Sequence, residues 1–195
     1  AGNFALGGSV SLNDIGGTME ARIAGGSVTS TTPLLINARD DTIIVSIAGQ
    51  IALTTGSGAA IGAALSTNNI TRNIYATINC GMVTAPTVNV LADNDADLDA
   101  ITLGGTAAGN FSLGGSISIN EIGGTLEARV MGNATVNAST KLRVAADDDT
   151  LIVAVSGQAT ITTGSGAAIG AAVSKNLISR SVFATLNGPT VTSPT

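Results

Sequence analysis

The residues of this chain whose types and spacing best suit chemistry are acidic. Arg39-Asp40-Asp41-Thr42, Asp93-Asn94-Asp95-Ala96-Asp97 and Asp147-Asp148-Asp149-Thr150 each follow the same alanine of a recurring apolar run. Clustered carboxylates with an Asn oxygen are hard-oxygen ligands of the kind Ca²⁺ takes. The alternating series Asp93, Asp95, Asp97 and Asp99 is the best such candidate. The order and glycine of an EF-hand are missing, as is the GGxGxD pattern of calcium-loaded β-rolls, so solvated turns along one edge are the expected role. No other cofactor is implied.

Catalytic constellations are poorly supplied. The chain has no histidine, one cysteine (Cys80) and two lysines (Lys141 and Lys175), so the usual acid–base and nucleophile pairings cannot be assembled. Glu20 with Arg22 and Glu127 with Arg129 are expected to pair on an outer strand face at modest gain. The segment GSGAAIGAA at Gly56–Ala64 lacks the Walker lysine and the GxGxxG spacing, and it recurs at Gly164–Ala172. Small residues at a tight corner are its expected role, not a phosphate cradle. Phe4, Tyr75, Phe111 and Phe183 are too few for a sugar-stacking or single-strand nucleic-acid platform. The expectation is a protein that is not an enzyme.

Charged residues make up 11% of the 195 residues, against about 25% in an average domain, while apolar residues reach 44%. That reverses the composition of a disordered chain, and a folded core follows. A net charge of −5 gives no basic footprint for nucleic acid or anionic membrane. No apolar run is long enough to cross a bilayer as a helix, so membrane insertion is not expected either.

The elements that must carry these residues are repeated strands. TTGSGAAIGAA at Thr54–Ala64 recurs unchanged at Thr162–Ala172, and AGNF at Ala1–Phe4 recurs at Ala108–Phe111. This divides the chain into a first long repeat, 1–107, with sub-units of about 1–54 and 55–107, and a second, truncated one, 108–195. The triplets Met19-Ala21-Ile23, Ile74-Ala76-Ile78, Leu126-Ala128-Val130 and Val182-Ala184-Leu186 set a basic unit of about 54 residues and form the expected core. Alternation there, and in Val10-Leu12, Ile43-Val45-Ile47, Ile117-Ile119 and Leu151-Val153-Val155, is the period-2 signal of a strand with its apolar face buried. The fold class is all-β.

Equivalent residues at a fixed interval predict one continuous parallel β-helix, a β-solenoid, right-handed by the crossover rule, with about two rungs of roughly 27 residues per unit; three of about 18 are the alternative. The Gly/Ala-rich lead GSGAAIGAALS, the Asn-Ile corner, the strand with central Ala and the run ending Ala-Asp resemble the repeats of filamentous-haemagglutinin-like and leukotoxin-like adhesins of bacterial type V secretion. The resemblance implies a structural or adhesive shaft of an extracellular or bacterial cell-surface filament. Its partners would be further copies of itself, stacked end to end by their rungs, and a receptor bound by regions outside this chain. A self-assembling extracellular fibre subunit is the alternative, ahead of a glycan-degrading β-helix enzyme or an ice-binding solenoid.

Overall fold

The computed structural model describes residues 3–79 and 81–193; Cys80 lies outside the described residues. Among the described residues ten strands form two sheets: β1 (Phe4–Ala24), β2 (Ser27–Thr29), β3 (Leu34–Asp40), β4 (Ile43–Leu53), β5 (Ala59–Asn79), β6 (Met82–Ala108), β7 (Phe111–Met131), β8 (Thr135–Thr162), β9 (Ala167–Asn187) and β10 (Thr190–Thr192). The first sheet has the order β1-β5-β7-β9. The second runs β10-β8-β6-β2, with β3 and β4 also paired to β6. The chain crosses from one sheet to the other and back, and every pairing is parallel. Phe4 pairs with Ala59, Ala59 with Phe111, and Phe111 with Ala167, so a strand's neighbour lies a full circuit away.

This overturns the expected solenoid. A unit of about 54 residues does not divide into two rungs of about 27; its halves lie in two facing sheets that pack as a β-sandwich. Nor are the circuits uniform. The first passage through the second sheet is broken into β2, β3 and β4, of 3, 7 and 11 residues, whereas β6 and β8 run unbroken for 27 and 28. Period-2 alternation reports a strand and its faces but carries no information on where the chain turns, which is why the rung length was misjudged. The adhesin resemblance and the filament shaft are corrected with the solenoid, as are the stacked-fibre, ice-binding and β-helix alternatives that required that fold.

At one end the sandwich is filled by hydrocarbon. Ile74, Ala76 and Ile78 on β5 and Leu126, Ala128 and Val130 on β7 are fully buried against Ile36, Ala38, Val88, Val90 and Ala92 of the second sheet. Ala21 and Ile23 are partly buried and pack on the same cluster. Val182, Ala184 and Leu186 stand exposed on β9, at the edge of the first sheet. The central Ala76 and Ala128 leave room for the branched residues packed with them. A smaller cluster of Ile44, Ile70, Ala96, Leu98, Ala100 and Ile122 occupies the middle.

Charge also enters the interior. Arg72 of β5 reaches Asp40, which is 4% exposed, with Nε 3.6 Å from Oδ1, and Arg180 of β9 reaches Asp148 at 3.4 Å. At the equivalent positions of the circuit between them the residues are neutral: Asn94 sits between Asp40 and Asp148, and Gly124 between Arg72 and Arg180. Like charges directly opposite each other on adjacent strands repel, and the alternation spaces them by two strands. Gly124 has φ +110°, and a Cβ there would strike the carbonyl oxygen of Arg72, so only glycine fits. Pro86 falls where β6 and β8 slip register between Ala85 and Thr87, a place where a missing N–H costs no ladder bond.

Replacing Ala128 by Phe is therefore expected to lower unfolding stability by about 1–3 kcal/mol or more through overpacking. Replacing Arg129 by Ser, which removes a partly exposed pair with Glu127 at 3.1 Å, is expected to cost under about 1 kcal/mol. Denaturant titration of the two variants compares them, and equal losses would contradict the assignment of faces.

Candidate interaction surface

In the first sheet the inward parity of each strand is constant from end to end, but the apolar residues change parity within the strand. On β1 the inward positions are Ala5, Gly7, Ser9, Ser11, Asn13, Ile15, Met19, Ala21 and Ile23, and the outward ones include Phe4, Leu6, Val10, Leu12, Asp14, Glu20 and Arg22. From Ile15 onward the hydrocarbon points in; before Asp14 all of it but Ala5 points out. β7 repeats this, with Ser112, Ser116, Ser118 and Asn120 buried and Phe111, Leu113, Ile117 and Ile119 exposed. The reading of Val10-Leu12, Ile43-Val45-Ile47, Ile117-Ile119 and Leu151-Val153-Val155 as buried runs is thus corrected. All stand outward, with Leu6 74% and Val10 65% exposed.

The inner side of this half is held by polar columns. Asn13 donates through Nδ2 to Oδ1 of Asn68 at 2.7 Å, Asn68 to Asn120 at 2.7 Å, and Asn120 to Asn176 at 2.8 Å. The same amide groups donate to Ser11, Ser66 and Ser118, each two residues back on its own strand. Hydroxyls bridge the two sheets, Ser46 lying 3.0 Å from Ser11 and 2.9 Å from Ser66, and Ser112 donating to Thr106 at 2.7 Å. A buried polar group costs little when its partners are in place, and here each strand supplies the partner of the next. Further along, the Gln50 amide lies over Gly7 and Gly62, and that of Gln158 over Gly114. A side chain on those glycines would occupy the amide's place.

With the apolar residues turned out, both sheets carry apolar outer rows. On the first sheet Leu6, Ile61, Leu113 and Ile169 lie side by side across the four strands, as do Val10, Leu65, Ile117 and Val173. Between these two rows runs one of small residues, Gly8, Ala63, Gly115 and Ala171. On the second sheet Val45 and Val153 flank Asp99, and Ile47, Ile101 and Val155 form the next row. Phe4 and Phe111 belong to the outer rows as well.

Two of the three acidic runs lie within strands, 93–99 in β6 and 147–149 in β8, while Asp41 and Thr42 form the break between β3 and β4; equivalent residues are neighbours, Asp93 pairing with Asp147 and Asp95 with Asp149. These neighbours stand one strand spacing apart, about 4.8 Å. Asp93, Asp95, Asp97 and Asp99 point outward at every second residue of one strand, successive positions about 6.6 Å apart, whereas Ca²⁺ gathers its oxygens at about 2.4 Å. Among the described residues no group of three or more His, Cys, Asp or Glu is placed to hold a metal ion. Arg39 sits in this patch, 2.7 Å from Asp41, and that hydrogen bond raises its pKa above the ordinary arginine value. Glu20 and Arg22 face outward 3.7 Å apart, and Arg129 lies over the Tyr75 ring at 5.5 Å. These are surface pairs.

The sequence reading missed the asparagine column, although it leaves a signal. Ser11-Leu12-Asn13, Ser66-Thr67-Asn68, Ser118-Ile119-Asn120 and Ser174-Lys175-Asn176 recur at the repeat interval. In comparisons with known proteins, no family model, no curated protein and no solved structure matches this chain.

Substituting Asn68 by Leu would strand the Nδ2 donor of Asn13 and the Oδ1 acceptor of Asn120. Each stranded group costs about 1–3 kcal/mol, so a loss of about 2 kcal/mol or more is expected in denaturant titration. Gly62→Ala is likewise expected to destabilise, and adding Gln50→Ala is expected to recover part of that loss. Strict additivity of the two changes would disprove the amide-over-glycine packing.

Proposed function

We propose that this domain is a non-catalytic interaction module, acting outside the cytoplasm, that works by packing an apolar sheet face against a complementary apolar surface. The observation that carries the reading is the inversion of polarity in one half of the sandwich, with serine and asparagine inside and leucine, isoleucine and valine outside. Purely parallel sheets are found almost only where both faces are covered, and contiguous apolar patches of several hundred Å² mark contact sites. A non-catalytic role is supported by the lack of histidine and by the dispersal of the carboxylates along exposed strand faces. An extracellular setting is supported by the short connections between strands, which offer proteases little exposed loop.

The test uses the neutral dye Nile red and a variant carrying Leu113→Thr, Ile117→Thr, Val45→Thr and Ile47→Thr. The native chain is expected to bind the dye, and the variant to lose most of that binding while melting within a few degrees of the parent. A native chain that binds no more dye than an ordinary folded control would refute the reading.

A further inference from the structure

Resting on that reading, we infer that the apolar face of the first sheet is the contact of a symmetric dimer, its partner being a second copy of this chain. Size is the first argument. Four outward rows, from that of Leu6 to that of Leu12, cross four strands. At about 6.6 Å per row and 4.8 Å per strand they cover about 500 Å². Two such faces together bury about 1,000 Å², the area that a specific interface of good complementarity reaches.

Relief is the second argument. The Gly8 row is a trough between the Leu6 and Val10 ridges, and a Cβ built on Gly115 meets nothing within 4 Å. A two-fold axis in the interface, running across the strands between the Gly8 and Val10 rows, lays each copy's Val10 ridge in the other's trough. The same operation sets the Leu6 row on the Leu12 row. Such reciprocity is what an isologous contact requires, and the facing strands then pack as two sheets of a sandwich about 10 Å apart. Charge agrees. Within these rows Lys175, on edge strand β9, is the one charged residue, while Asp14 and Glu121 begin the next row and would lie at the rim. A charge-depleted centre with a charged rim is the anatomy of a protein interface.

Sedimentation equilibrium over a concentration series tests this, with Gly115→Leu to fill the trough and Val10→Lys on an edge strand, where the side chain already stands in solvent. The native chain is expected to show a monomer–dimer equilibrium. Each variant should raise the dissociation constant by about tenfold or more, with circular dichroism unchanged. Gly115→Leu should keep its Nile red binding at dilutions where the chain is monomeric, since it removes shape and not apolarity. A native chain that stays monomeric yet binds the dye, or binds vesicles of neutral phosphatidylcholine instead of itself, overturns the dimer and leaves the apolar-face reading standing. Loss of dye binding in the native chain overturns both. A dimer untouched by either variant but abolished by Ser9→Pro, at the open edge of β1, overturns the face contact in favour of edge pairing.

Discussion

Everything in this structure depends on one constraint: each inward side chain lies beside its own counterpart from the next circuit. Parallel pairing at a fixed interval enforces it, since Asn13, Asn68, Asn120 and Asn176 have no choice of neighbour. A residue chosen for a column must therefore tolerate itself. Branched hydrocarbons and alanine do so by contact, and asparagine by being donor and acceptor at once. Aspartate and arginine do not, and they occur inside only where Asn94 and Gly124 interrupt their columns.

The same constraint accounts for the inverted half. A hydroxyl or amide column is as self-consistent as a hydrocarbon one, and it lets the sandwich close without apolar filling between Gly7 and Asn13. Hydrophobic burial is then concentrated at the opposite end, around Ile74, Ala76 and Ile78. The outer rows are left with apolar surface that the fold itself does not use. That division, with cohesion inside by hydrogen bonds and free apolar area outside, is what an association surface requires.

Much of the architecture was legible in the sequence because the repeat is written in residue identity. The strands around Met19-Ala21-Ile23 and its three counterparts, and the interval between them, follow from inspection. What failed was the assumption that an apolar residue in an alternating run faces inward. Between Leu12 and Ile15 the apolar residues move from even to odd positions while the strand continues unbroken, and nothing local says whether the backbone or the environment has switched. The rung count failed for a related reason: Ala24, Thr29 and Asp40 all precede breaks, but only the facing of two sheets decides which break is a corner. The aspartates read as loops because acidic runs usually are, although the flanking Leu98 and Ala100 already kept the strand alternation going.

The pairing interval has a consequence for how the molecule forms. Among the described residues no strand is hydrogen-bonded to the one that follows it in the chain, and the shortest ladder, β5 with β7, joins residues 52 positions apart. Hairpin closure, the microsecond step that starts many β proteins, is unavailable here. The first productive event must instead close a loop of a whole circuit before any backbone pair rewards it, which places this chain among slow folders of high contact order. Once that first ladder exists, each later strand finds a finished template at its edge. Folding is thus a slow initiation followed by templated growth, and a ribosome must release more than one full circuit before the first inter-strand bond can close.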